Sequence, residues 1–269
     1  MEKPIRLAPS LREKVWGKTR LVPWFPDSEK PIGEAWYLAD RQLPLLFKLI
    51  FTSERLSIQV HPDSKTEMSY ILDAEPGAAI ALGFRQPITR RRLLESVRTG
   101  EIERLVNWFP VKRGETYFTP AHTVHAIGGG IVLCEIQRTS DVTYRLWDYG
   151  RPRQLHVEEA VAISDLGVHP GAARPTPISE GRDELVRCPH FIAELVKLAP
   201  GVPHTPAPEP CQMWMCVEGR GAIEGEPFQP GEAWLFPEAV EQPVLRAETH
   251  ARFLRAYVPR LGRQLKEQA

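Results

Sequence analysis

Gln59-Val60-His61-Pro62-Asp63-Ser64-Lys65-Thr66-Glu67 is the stretch on which the reading of this chain turns. Residues two apart on a β-strand share a face, so Gln59 and His61 project one way while Ile58 and Val60 project the other. Pro62 ends the strand because it has no N–H to offer a neighbour. The short turn through Asp63 and Ser64 then returns Lys65 and Glu67, again two apart, to the same mouth. A second stretch runs from Gly114, across five residues, to Pro120 and on through Ala121-His122-Thr123-Val124-His125, and it delivers another imidazole. Gln59, His61, Glu67 and His125 together offer an amide oxygen, two imidazoles and a carboxylate, with the amine of Lys65 beside them. Zinc accepts such nitrogen and oxygen donors, and a catalytic zinc keeps a position for water or substrate. A neutral glutamine leaves the centre positive, which suits the polarisation of a carbonyl. Fe²⁺ or Mn²⁺ would be held by the same donors. Singly, each residue is ordinary: a hydrogen-bonded amide, packed histidines, a solvated lysine. Their joint spacing carries the metal reading.

Around these stretches the chain reads as mostly β. Leu45-Leu46-Phe47-Lys48-Leu49-Ile50-Phe51, Leu56-Ser57-Ile58-Gln59-Val60, Thr116-Tyr117-Phe118 and Ile131-Val132-Leu133-Cys134-Glu135-Ile136 are rich in branched and aromatic residues. Turn signals such as Lys112-Arg113-Gly114-Glu115 and Gly128-Gly129-Gly130 separate several of them. Many short strands so spaced predict a sandwich or jelly roll. One helical island interrupts them over residues 89–108. Thr89 is placed to cap it, Leu93, Leu94 and Val97 lie at helical spacing, Thr99-Gly100 is a stop, and Ile102, Leu105 and Val106 continue on a second short helix.

A second block of strands begins near His190, with Phe191-Ile192-Ala193-Glu194-Leu195-Val196-Lys197-Leu198, Met213-Trp214-Met215-Cys216-Val217 and Ala233-Trp234-Leu235-Phe236. The Pro/Gly-rich residues 169–180 are the expected linker. The halves share a weak repeat: Gly231 is followed after five residues by Pro237, as Gly114 is by Pro120. Gly219-Arg220-Gly221 upstream predicts a tight hairpin. After Pro237 come Glu238, Ala239, Val240 and Glu241 and no histidine, so the second copy is a structural half without ligands.

Bulk properties exclude more than they assign. In 269 residues Lys+Arg and Asp+Glu are both 34, so no global field favours nucleic acid or a membrane surface. No apolar run approaches ~18 residues, and no secretory signal follows Met1, so the cytoplasm is the expectation. Cys134, Cys188, Cys211 and Cys216 do not form a disulfide framework and are expected to be free, packed thiols.

With these residues in view, the chain resembles the type I phosphomannose isomerases (mannose-6-phosphate isomerases) of the cupin superfamily. Gly114-(x)5-Pro120 followed by His125 matches the second cupin motif, with His122 standing where glycine is usual. Gln59-x-His61 and Glu67 resemble the modified first motif of that family. Ile32-Gly33-Glu34-Ala35-Trp36, Pro44-Leu45-Leu46-Phe47-Lys48, Lys65-Thr66-Glu67-Met68 and Glu135-Ile136-Gln137 match it too, as does Ser140-Asp141-Val142-Thr143-Tyr144-Arg145-Leu146-Trp147-Asp148. The resemblance is dense from residue 14 to 160 and loose beyond. Only five residues separate His61 from Glu67 where many relatives carry a longer loop, and no large separate helical domain is present.

The resemblance implies two cupin-type jelly-roll barrels, mainly β, with a small helical insertion. These are a metal-binding catalytic domain over residues 1–168, the linker over 169–180, and a degenerate, metal-less barrel over 181–269. It implies a zinc-dependent interconversion of mannose 6-phosphate and fructose 6-phosphate through a cis-enediol, with one divalent ion per chain. Gln59, His61, Glu67 and His125 become the metal ligands, and Lys65 and Arg145 the catalytic pair. A lysine beside a cation is expected to have its pKa lowered to ~7–8 and so to serve as a base. Ser57, Lys112, Arg138 and Arg151 are candidates for binding the substrate phosphate. The partner is a small sugar phosphate, with no nucleic acid and no membrane, and the protein a monomer or homodimer. Two rivals stay open: an iron-dependent cupin dioxygenase, and a sugar-phosphate-binding cupin without catalysis.

Overall fold

Alternation along single strands builds the molecule. In the strand Leu46–Thr52 every residue is buried, but its two faces go to different places. Phe47, Leu49 and Phe51 join a core that also takes Met213, Met215, Leu235 and Leu254 from the second block. Ile50, on the other face, joins a separate core with Leu133, Ile80 and Ile127. The strand Ile131–Gln137 divides likewise: Val132, Cys134 and Ile136 face the shared core, Ile131 and Leu133 the other. A strand covered on both sides reads as a continuous apolar run, and this is why these segments stand out in the sequence.

The computed structural model describes residues 2–238 and 243–260, mainly β. Among the described residues, one 13-stranded antiparallel sheet runs through both blocks. Its hinge is the long strand Ile5–Lys18, which pairs with Ile32–Leu38 on one side and, through Ile5, Arg6 and Leu7, with Ala233–Phe236 on the other. Tyr37 adds a hydrogen bond from its hydroxyl to the Gly231 carbonyl. A five-stranded sheet (144–147, 58–60, 125–127, 79–84, 106–110) packs on the first block and a four-stranded one on the second. All four cysteines are free.

The repeat is visible in the backbone. Gly114 and Gly231 have φ of 90° and 89°, and each is followed two residues later by a four-residue strand, Thr116–Thr119 and Ala233–Phe236. The expected Gly219–Gly221 hairpin is instead a corner. The strand Gln212–Glu218 lies in the large sheet and Gly221–Ile223 in the four-stranded one. A Cβ on Gly221 would lie 2.1 Å from the Arg246 carbonyl oxygen, so close backbone approach demands the glycine. The comparison with Ala239, Val240 and Glu241 lies outside the described residues.

The helical insertion is present but ends earlier than expected. Thr89 caps Arg90–Thr99 by accepting from the Arg92 N–H, and Gly100 stops it at φ 76°. The second helix is one turn, Ile102–Leu105. Val106 leaves the helix at ψ 148° and begins the strand Val106–Pro110, pairing with Phe84, so Trp108 is a strand residue. A β-branched residue gains more from the sheet than from a fifth helical position. A third helix, Val157–Ile163, lies outside the single island read from the sequence; Val157, Ala160 and Val161 at spacings of three and four were its signal. Residues 169–180 are not bare linker, for Ala172–Ala173 pairs with Thr116 and Tyr117 and Thr176–Ser179 with the strand Arg182–Arg187. Among the described residues, no helix is long and apolar enough to cross a membrane.

Candidate active site and metal centre

The strand Ile58–Val60 is the middle of the site. Gln59 pairs directly with His125 on one side and Arg145 on the other. His61 lies just past the strand end, and Lys65 closes the turn by donating its N–H to the Pro62 carbonyl (2.9 Å). Glu67 opens the strand Glu67–Ala74, where Gln137 and Thr119 flank it. Three segments distant in sequence, around residues 58–67, 125 and 145, thus lie side by side.

The side chains meet there. Glu67 Oε1 lies 3.3 Å from His125 Nε2 and Glu67 Oε2 lies 3.4 Å from His61 Nε2. Gln59 Nε2 lies 3.3 Å from His125 Nε2. Its amide oxygen accepts from the Ser57 hydroxyl (3.1 Å), and a half-turn of the amide would exchange the two atoms in place. Each imidazole is aimed by its far nitrogen: His61 Nδ1–H donates to the Val142 carbonyl and His125 Nδ1–H to the Thr123 carbonyl, both at 2.9 Å. Those bonds fix the tautomers and leave both Nε2 lone pairs pointing at Glu67. Burial, aided by the nearby Lys65 and His125 charges against the pull of Glu67, drops His61 to about 4, so it is a neutral donor.

These donors fit a divalent cation. Two atoms each about 2.1 Å from a tetrahedral centre stand about 3.4 Å apart, the separation found here. His61, Glu67 and His125 are the one such cluster among the described residues. Glu67 Oε2 is fully buried and makes no well-aligned hydrogen bond, although Lys65 Nζ stands 3.2 Å away. A buried carboxylate oxygen in that state is a strong acceptor in search of a cation. Burial alone would raise the Glu67 pKa, but Lys65 and His61 outweigh it and hold the carboxyl well below its usual range.

Lys65 sits between the imidazoles and two carboxylates. Its ammonium lies 3.0 Å from His61 Nε2 and beside Glu67. Burial lowers its pKa, yet Glu67 and Glu135 outweigh that and raise it above the ordinary value. The expected lowering belongs to the cation-loaded site, where the cation's charge would oppose these carboxylates.

Beside the cluster lies a polar cavity of about 310 Å³, whose wall includes Ser57, Gln59, Lys65 and Arg145. Lys112, Arg138 and Arg151 are not on that wall. Lys112 belongs to the exposed turn before Gly114. Arg138 donates to the Asp63 carbonyl at 2.6 Å, and Arg151 is held by Asp148 at 2.7 Å. Lys14, Lys48, Arg153, His156, Glu34 and Glu135 line the cavity instead. Lys48 is only 2% exposed; it donates to Gln137 (2.6 Å) and Glu135 (3.2 Å). Its signal was a lysine in the middle of an otherwise apolar strand. Glu135 has its carboxyl pushed up by burial and by Glu67.

Arg145 stands apart from the other cations of the wall. Among the described residues it has no carboxylate within ion-pair distance, and its buried Nε has no hydrogen-bond partner. Burial, with Arg153 close by, lowers its pKa. His122, where the motif usually has glycine, takes the glycine conformation at φ 72°. Its N–H donates to the His61 carbonyl and its own carbonyl accepts from Asp165 N–H, both at 2.8 Å. Its ring turns outward to Asp63 at 3.1 Å.

Comparison with known proteins agrees with this architecture. Residues 27–82 match the family described as phosphomannose isomerase type I, catalytic domain. The mannose-6-phosphate isomerase of Streptococcus mutans serotype c is 30% identical over 232 residues, 66% of this chain and 73% of that protein. Mannose-6-phosphate isomerase ManA of Bacillus subtilis is 28% identical over an alignment of 296 positions, covering 87% of this chain and 93% of that one. Among solved structures, the mannose 6-phosphate isomerase from Bacillus subtilis superposes with a TM-score of 0.86 at 23% identity, covering 96% of this chain and all of that one. A phosphomannose isomerase mutant from Salmonella typhimurium gives 0.78 at 18% identity, covering 95% of this chain and all of that one. The last two likenesses speak to fold, the first two to descent. The chain belongs to the type I phosphomannose isomerase family of enzymes.

Proposed function

We propose that this protein is a metal-dependent aldose–ketose isomerase that interconverts mannose 6-phosphate and fructose 6-phosphate in the cytoplasm. The observation that carries the reading is the convergence of His61, Glu67, His125 and Gln59 on one point, with Lys65 and Arg145 at the wall of the adjoining cavity. Family membership supplies the reaction. Free cysteines accord with a reducing compartment.

Gln59, His61, Glu67 and His125 would hold zinc. When bound, it supplies positive charge that stabilises the oxygen anion developing as the sugar carbonyl becomes an enediolate. Moving a proton between C2 and C1 through a cis-enediol needs one group to exchange it on a single face of the open-chain sugar. Lys65 has the position for that work. Its side chain is buried and pinned by Glu67, so its reach is short and directed. Arg145 completes the pair; it stays charged and offers a fork of N–H donors to the substrate's anionic oxygens, keeping the reacting carbons in register. Ser57 lines the same wall and its hydroxyl steadies the Gln59 amide.

The test is a coupled assay of fructose 6-phosphate formation, with chelator treatment and metal add-back. Turnover that disappears with chelator and returns with zinc supports the proposal. Binding of mannose 6-phosphate without turnover would favour a sensor, and activity restored by iron alone, on another substrate class, a cupin dioxygenase.

A further inference from the structure

Five cationic side chains, Lys14, Lys48, Lys65, Arg145 and Arg153, line the cavity against three carboxylates, Glu34, Glu135 and Asp141. Asp148, buried, is shared by two arginines: Arg153 reaches Oδ2 through Nε (2.5 Å) and Oδ1 through a terminal nitrogen (2.6 Å), and Arg151 reaches Oδ1 at 2.7 Å. Asp148 thus serves two guanidiniums, with Glu54 a further partner of Arg151 at 3.8 Å, while Arg145, facing the cavity with Arg153 and Asp141, has no ion pair within 4.0 Å among the described residues. Two arginines on one wall with this deficit call for an anion between them.

His156 is the third member of that wall. Its backbone is tied to Arg145 by its N–H to the Arg145 carbonyl at 2.8 Å. Its ring is tied back as well, since Nδ1 accepts the Arg145 backbone N–H at 3.3 Å. A backbone N–H can only donate, so Nδ1 must carry the lone pair and the neutral imidazole must carry its proton on Nε2. The ring also lies 5.9 Å from that of Tyr144, which limits its rotation. The outcome is an N–H donor of fixed direction, half-buried, on the wall that Arg145 and Arg153 line.

We propose that His156 is a substrate-binding residue whose Nε2–H, with Arg145 and Arg153, binds the phosphate group of the sugar phosphate. This deepens the isomerase reading and rests on it for the identity of the phosphate's bearer. A neutral N–H beside two guanidiniums donates to a phosphate oxygen without adding further charge to a crowded cationic wall. It would therefore select for the phosphorylated sugar.

Two isosteres separate binding from mere support of the Arg145 strand. His156→Asn keeps an acceptor near the Nδ1 position but deletes the Nε2 donor. His156→Gln places an amide N–H near Nε2 but leaves the Arg145 N–H without its acceptor. Each zinc-loaded variant is titrated by calorimetry with inorganic phosphate and with mannose 6-phosphate, and KM and kcat are measured. The Asn variant should lose about tenfold in affinity for both ligands, the scale of a hydrogen bond to a charged group. Its KM should rise with kcat within about threefold, and the Gln variant should stay within about threefold of the parent. The reverse pattern, Asn unaffected and Gln impaired, overturns the proposal in favour of a supporting role. So does equal affinity in all three proteins. Because phosphate binding is read without turnover, an inactive parent that still shows the Asn deficit would sink the isomerase reading and leave this one standing.

Discussion

Glu67 and Gln212 occupy the same register position in the two halves of the chain. Glu67 pairs with Thr119, five residues after Gly114; Gln212 pairs with Phe236, five residues after Gly231. Two residues along, Ser69 faces Glu135 and Trp214 faces Arg255, and the next strand over supplies Lys48 and Glu194. The ladder is kept with its signs reversed: Lys48–Glu135 in the first half corresponds to Glu194–Arg255 in the second. Gln212 Oε1 accepts from Arg255 Nε (2.8 Å) and Trp214 Nε1 (3.1 Å). Where the first half gathers lone pairs, the second gathers a guanidinium, which repels a metal ion.

Arg255 should therefore be structural. It is 1% exposed and holds Glu194 at 2.9 Å, with Arg182 on both carboxylate oxygens. Arg255→Ala leaves a buried carboxylate short of a partner, which costs about 3–5 kcal/mol. Urea denaturation should record that loss. Metal content of the folded fraction, measured by emission spectroscopy, should stay at the parent value; a drop would tie the second half to the metal centre.

Metal removal should be felt in stability as well as in activity. Zinc held at about 100 times its Kd would stabilise the native state by about 2.7 kcal/mol, so chelator should lower the melting temperature of the parent. His125→Ala should lose the bound metal, the activity and that chelator response together. A fully metallated His125→Ala protein would remove His125 from the ligand set.

Lys65→Ala tests the proton exchange separately from the metal. If Lys65 is the acid–base group, kcat should fall about 100-fold or more while zinc content is unchanged. Activity that survives the substitution would reassign the step to another group of the cavity.

The fold was legible where one rule governed, and the site where spacing was local. The doubly buried strands around Leu49 and Leu133 announced themselves as apolar runs, and Gln59, His61 and Glu67 by strand periodicity. The Gly114/Gly231 repeat exposed the internal likeness because a left-handed turn needs glycine at both places. What escaped depended on contacts between remote segments. Lys112, Arg138 and Arg151 are candidate phosphate binders in the sequence, but the fold sets them off the cavity wall and Asp148 holds Arg151 at 2.7 Å. Lys14 and His156 reach the cavity through pairing that no local pattern encodes, whereas Lys48 shows itself as the lysine inside an apolar strand. At four residues from Ile102, Val106 has helical spacing, but its pairing with Phe84 makes it the first residue of a strand.

His122 stores strain that glycine would release. A residue with a Cβ in the left-handed region costs about 1–2 kcal/mol, and the ring's contact with the exposed Asp63 returns little. His122→Gly should leave stability unchanged or raise it by up to about 1 kcal/mol in urea denaturation, and His122→Val should lower it. A marked loss in the glycine variant would mean that the ring carries a contact worth more than the strain.

His169 should make stability depend on pH in one direction only. Its Nε2–H donates to the Phe118 carbonyl and its Nδ1 accepts the Gly171 N–H, both at 3.0 Å. This latch holds the start of the inter-half segment and needs the neutral ring, since a protonated Nδ1 cannot accept. Burial lowers its folded pKa, with the Phe118 carbonyl opposing and His125 adding to the fall. A histidine whose folded pKa is depressed contributes stability that is full above its unfolded value of about 6.5 and is lost as the pH falls below it. The stability difference between the parent and His169→Ala, measured by urea denaturation, should be about 1–2 kcal/mol at pH 8 and should shrink by pH 5.5. A difference that grows toward acid would mean the latch works through a charged ring, contrary to the Gly171 hydrogen bond.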